Sequence, residues 1–143
     1  RGCLESLASG VAIRRRVEEL AAAGRRSPAV EEFLADPASF SAETVCSQAD
    51  AGDELAREIL EDAGWHLGTG IASLVNILNP DVVTLSGGLL GCFHHMEANM
   101  RRSFEASAIP ISRHHVRILT GTLGENGGML GAALLASESL HGS

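Results

Sequence analysis

Gly87 and Gly88 stand side by side at the end of an apolar run, Val82-Val83-Thr84-Leu85-Ser86, and apolar residues resume directly after them. Glycine loses more conformational entropy on folding than any other residue and packs nothing. An adjacent pair here therefore marks a backbone that turns sharply or that another group approaches closely. Two readings are open. If the run is a parallel strand entering a helix, the pair lies at the strand's carboxyl end, where open α/β sheets bind ligands. The N–H groups of the next helix would then favour a nucleotide's phosphates. The other reading is an ordinary strand-to-helix turn, and so short a motif does not decide between them. A P-loop is excluded, because the chain has no G-x-x-x-x-G-K-[ST] pattern and no lysine.

Other residues with chemical potential are weaker signals. Gly121 to Gly131, GTLGENGGMLG, is a second glycine-rich approach to a helical run, and a tight loop with small residues for close packing accounts for it. The doublets His94-His95 and His114-His115 invite a metal reading. Neighbours on a helix point roughly 100° apart, however, which speaks against one doublet chelating one ion and for solvated or capping side chains. His66, beside Trp65, reads as a packing or surface residue. Arg14-Arg15-Arg16 reads as a solvated helix face that can pair with Glu18 and Glu19. Cys3, Cys46 and Cys92 are few and scattered, so no disulfide framework follows and a reducing cytoplasm is the default expectation.

The elements that must position these residues are legible from periodicity and punctuation. Leu4 to Ala23 reads as helix, broken near Ser9-Gly10 and ending at Gly24. Ser27-Pro28 with Glu31 starts a short helix that stops near Asp36-Pro37. Ser41 opens another helical stretch that pauses at Gly52. Leu55, Ile59, Ala63, Leu67, Ile71, Val75 and Leu78 then recur at helical spacing. Gly64, Gly68 and Gly70 interrupt that helix, which at this spacing points to close helix packing rather than to chemistry. Asn79-Pro80 ends it.

Val82 to Ser86 predicts a buried strand, because it is β-branched and apolar without alternation. Phe93, Met96, Met100 and Phe104 mark one face of a following helix, Val116 to Thr120 a second strand, and Met129 to Leu140 a closing helix. Strand, helix, strand, helix predicts parallel strands joined by a right-handed crossover, with helices 55–78 and 93–108 covering them.

The 143 residues suit one compact domain, and 45% apolar content supplies a core without any run of membrane-spanning length. A formal charge of −7, with arginine as the only fixed cation, argues against binding a phosphate backbone through this chain. There is no signal peptide or lipidation motif, and the opening Arg1-Gly2-Cys3 reads as entry partway through a motif.

Three stretches together resemble the carboxyl-terminal half of the ROK family of bacterial glucokinases, related sugar kinases and sugar-responsive repressors. RGCLESLASGVAI is similar to the stretch that closes the family's cysteine-rich zinc motif and runs into a helix. AGWHLGTGIASLVNILNPDVVTLSGGLLG is the most specific block, and LGENGGMLGAALLAS resembles the terminal helix; residues 25–51 diverge.

The resemblance implies an α/β chain, a single domain over residues 1–143, forming the carboxyl-terminal lobe of an actin- and hexokinase-like (ribonuclease H-like) fold whose other lobe lies upstream. It implies that Gly87 and Gly88 border adenosine, that Glu5 accepts hydrogen bonds from sugar hydroxyls, and that Cys3 is one ligand of a structural zinc. ATP with magnesium, a hexose or hexose derivative, a homodimer and a cytoplasmic setting follow as expectations. The family's catalytic aspartate follows an asparagine, and this chain has no Asn-Asp pair. The general base is then outside it, and this chain alone is expected to be inactive. The intact LSGG favours a kinase over the alternative, the sugar-sensing part of a repressor.

Overall fold

The computed structural model of the chain describes residues 2–123 and 127–141, with side chains described as far as residue 137. In chain order the elements are α1 (Glu5–Ala8), α2 (Gly10–Ala22), α3 (Pro28–Ala35), α4 (Ala42–Asp50) and α5 (Glu54–Leu78). Then come β1 (Val82–Leu85), a 3-10 turn (Gly88–Cys92), α6 (Phe93–Ser107), α7 (Pro110–His115), β2 (Arg117–Thr120) and α8 (Gly127–His141). The described residues are mostly helical around two parallel strands.

Short-range chemistry sets most boundaries. Ser9 is extended and its Oγ accepts from the Ala12 N–H at 3.1 Å, so the predicted break at Ser9-Gly10 is a helix start. Ser27 caps α3 in the same way through the Val30 N–H, with Pro28 in the first turn. Gly24 and Gly52 take positive φ values of 77° and 101°, which a glycine after a helix supplies without strain. α5 ends where Asn79 adopts the left-handed conformation at φ 44°, ψ 54°, just before Pro80.

Two apolar clusters hold these elements together. The first joins Val17 of α2, Val30 of α3 and Val45 of α4 to Ala56 and Leu60 in the first half of α5, all fully buried. The second joins Ile71 and Val75 of α5 to Met100 and Phe104 of α6, with Val83, Leu85 and Ile118 of the strands packed against it. Each buried Val, Leu, Ile, Met or Phe among these contributes roughly 1.5–3 kcal/mol, more than most single caps, so packing rather than helix propensity decides where α5 sits. Its glycines show how. A Cβ on Gly64 would run into the backbone carbonyl of Met96, and one on Gly68 into that of Met100. Both glycines let α6 approach α5 closely, as their spacing predicts. Thr69 Oγ1 and Ser103 Oγ, 2.8 Å apart, share a hydrogen bond across the same seam.

β1 and β2 pair in parallel, with Val82 opposite Arg117 and Leu85 opposite Thr120, as the crossover pattern predicts. The strands are less buried than expected. Val82, Val83 and Leu85 are half-buried and Thr84 is exposed, because helices α5 and α6 cover one face of this two-stranded sheet. α7 was not legible in the sequence: Pro110 opens it and it spans six residues, too few for a period. Among the described residues no helix is long and apolar enough to cross a membrane.

Candidate functional site

Gly87 leaves β1 with φ 119° and ψ 175°, a conformation used almost only by glycine. Apart from its two chain neighbours, no described residue places an atom within 4 Å of the position its Cβ would take. The turn thus requires a glycine, while nothing described in the chain presses against it. Gly88 is not among the residues with positive φ; it opens the 3-10 turn that leads into α6.

The second glycine-rich segment lies alongside. Gly121 follows β2, its N–H donates to the Leu85 carbonyl at 2.7 Å, and a Cβ there would come within 3.2 Å of that oxygen. A Cβ on Gly127, the first residue of α8, would lie 3.8 Å from Ser86 Oγ. Both approaches therefore meet at one carboxyl edge of the sheet, as the parallel pairing of their strands brings about; Gly124, Glu125 and Asn126 lie outside the described residues. A shallow groove of about 380 Å³ runs from Gly88 and Leu89 across Phe40 to Val11 and Arg14.

Cys3 and Glu5 are placed together near the chain's start: Glu5 is the first residue of α1 and Cys3 lies two residues before it, and α1 packs on α2 and α5. Leu4, between them, rests its methyl groups over Gly70, where a Cβ would come within 2.9 Å. Cys3 is exposed and free. The Ser6 N–H, and then its hydroxyl, hold the Cys3 thiol below its usual range, which favours the thiolate that binds metals. Glu5 is an exposed residue of the first turn.

The only group of three or more His, Cys, Asp or Glu side chains near enough to share an ion, among the described residues, is elsewhere: Asp50, His94 and His95. His94 and His95 both point Nε2 at Asp50 Oδ1, at 2.9 and 2.8 Å. The expectation that the doublet would diverge fails because both residues stand in the first turn of α6, where Asp50 of α4 lies between them. Hydrogen bonds from His94 and then His95 hold the Asp50 carboxyl below its ordinary range. The other doublet does diverge: His115 Nε2 meets Asp81 Oδ1 at 2.5 Å, without His114.

Two further pairings bear on the sequence reading, the first against it and the second partly in line with it. Cys46 of α4 and Cys92 of the 3-10 turn form a disulfide across 46 residues. In the arginine run, Arg15 and Arg16 pair with Glu19, at 3.6 and 3.3 Å, rather than with Glu18. Arg14 instead donates to the carbonyls of Pro37 and Phe40.

The family model described as ROK family matches residues 1–139. A glucokinase of Halalkalibacterium halodurans is 29% identical over 137 residues, covering 96% of this chain and 41% of that protein. The DNA-binding transcriptional dual regulator NagC of Escherichia coli is 27% identical over 141 residues, covering 99% of this chain and 33% of that protein. A ROK family glucokinase from Streptomyces griseus, solved with glucose and AMPPNP, superposes with a TM-score of 0.74 at 24% identity, over 94% of this chain and 44% of that one. The chain spans less than half the length of each.

Proposed function

Because this chain belongs to the ROK family, we propose that it is the carboxyl-terminal lobe of an ATP-dependent hexose kinase, acting as a homodimer. The observation that carries the reading is Gly87. Its backbone needs a glycine, and nothing described in the chain packs on it, at the edge where two strand ends and the start of α8 meet. Gly87 and Gly88 would border the adenosine, and ATP-bound magnesium would neutralise charge on the transferred phosphoryl group. Glu5 would accept hydrogen bonds from neighbouring hydroxyls of the hexose, which an exposed carboxylate suits well.

Cys3 fits a structural zinc as one thiolate ligand. No other described ligand group stands with it, so the remaining donors would come from outside the described residues. The base that takes the sugar's hydroxyl proton would also come from outside this chain, which has no Asn-Asp pair.

One observation favours a second reading, the sugar-sensing part of a repressor: the regulator NagC matches nearly as closely as the glucokinase does. The test is made on the intact protein with glucose and ATP. ADP formed in step with sugar phosphate supports the kinase. Release of operator DNA by sugar, with no ADP formed, replaces it with the repressor. Under either reading Glu5→Gln should weaken sugar binding by roughly 10- to 100-fold without changing thermal stability. Unchanged sugar affinity would leave Glu5 a helix-start residue only.

A further inference from the structure

We propose that Asp50, His94 and His95 form a divalent transition-metal site that staples α4 to the start of α6. It is separate from the zinc proposed for Cys3 and does not depend on the kinase reading. Asp50 is the last residue of α4, and the two histidines belong to the first turn of α6. The three donor atoms all lie within 4.8 Å of one another, and both nitrogen–oxygen separations are already under 3 Å. Donors around a tetrahedral zinc-sized ion at about 2.0–2.1 Å sit about 3.3 Å apart, so small side-chain rotations suffice.

Two imidazoles and a carboxylate are the donor set that zinc, nickel or copper ions take, in preference to calcium or magnesium. In the ion's absence each ring can satisfy the carboxylate by donating from Nε2. To bind, each neutral ring presents its Nε2 lone pair and carries its proton on Nδ1 instead. No proton is gained or lost in that change of tautomer.

The cluster is also held in place before an ion arrives. Cys46 lies one helical turn before Asp50, and Cys92 lies two residues before His94. The disulfide between those cysteines therefore joins both ligand-bearing segments. Donors fixed in advance lose less freedom on binding. The helix dipoles oppose each other here, because the end of α4 favours a cation and the start of α6 disfavours one. Affinity must then come from the donors. His94 and Asp50 are more than half exposed, at 57% and 58%, so an ion reaches them from solvent.

The experiment titrates Co2+ into the intact, tag-free protein after chelator treatment, reading visible absorption and metal content. The expected result is one saturable Co2+ per chain with ligand-field bands, in addition to any Co2+ bound through Cys3, which alone gives a thiolate charge-transfer band; the Asp50–His94–His95 Co2+ persists in Cys3→Ser. His94→Gln and Asp50→Asn should each weaken it by at least roughly 10- to 100-fold, the loss typical of an altered outer partner alone. Both residues are exposed, and circular dichroism verifies that the variants stay folded. Absence of saturable binding, or the same bands and affinity in both variants, overturns the proposal and leaves a hydrogen-bonded His–Asp cluster.

Discussion

Gly68 of α5 lies so close to the Met100 carbonyl of α6 that a single Cβ cannot be placed between them. The same added atom would stand 2.9 Å from the Ser103 Cβ. The obstacle is backbone, which cannot rotate away as a side chain can. Gly68→Ala gains about 1 kcal/mol of helix propensity, but overpacking a close seam costs typically 1–3 kcal/mol or more. We expect the second effect to win, with a net loss of about 1–2 kcal/mol in denaturant unfolding. Gly70→Ala serves as the control, since its Cβ would first meet the Leu4 side chain, with both methyls at 2.9 Å, and that flexible end can shift. Equal stability of the two variants would show that α5 and α6 are not held at this distance by glycine.

Asp53 joins two helices through one buried carboxylate. Its Oδ1 accepts from the Leu55 and Ala56 N–H groups that begin α5, and its Oδ2 accepts from the Ala29 N–H of α3 at 2.8 Å. Burial pushes this carboxyl up; the hydrogen bonds from Ala29, Ser27, Ala56 and Leu55 outweigh it, and the net position is below the usual range. A group whose pKa is depressed by folding contributes stability above its unfolded value, about 3.9, and loses it as pH falls through the folded value. Asp53→Asn keeps an acceptor for α5 but turns an amide donor towards the Ala29 N–H. The variant should be less stable by about 1–3 kcal/mol at pH 7, and the gap should narrow below about pH 4. A gap that does not change between pH 7 and pH 3 would mean that the carboxylate's charge contributes nothing.

What the sequence showed, it showed locally. Ser9, Ser27, Gly24, Gly52 and Asn79 each act on the backbone within a few residues, so their positions marked helix ends correctly. The seven apolar residues from Leu55 to Leu78 marked α5 for the same reason. What stayed hidden depends on where distant segments meet. Cys46 finds Cys92, and Asp50 reaches His94 and His95, only because α4 packs against the start of α6. No spacing rule encodes that approach. The candidate site divides in the same way: Gly87-Gly88 announced a turn, but Gly121 and Gly127 came to lie beside it only through strand pairing.

Gly87 and Gly88 separate the turn from the nucleotide, because the two glycines carry different constraints. At Gly87 the constraint is the backbone, since φ 119° strains any side chain even where space is open. Gly87→Ala should therefore cost about 1–3 kcal/mol of stability whether or not a nucleotide binds there. Gly88 begins the 3-10 turn outside the positive-φ region, so Gly88→Ala should avoid the backbone strain expected at Gly87. Gly88 is exposed, so its added methyl group would stand in the way of a ligand that approaches the backbone at this point. If adenosine does, Gly88→Ala should weaken ATP binding to the intact protein by about tenfold or more, a loss of about 1.4 kcal/mol, with sugar affinity unchanged. Isothermal titration of ATP and of sugar, together with thermal melts of both variants, gives each quantity separately. A Gly88→Ala protein that melts normally and binds ATP normally would reduce the glycine pair to a turn, and the adenosine site would have to be sought elsewhere on the protein.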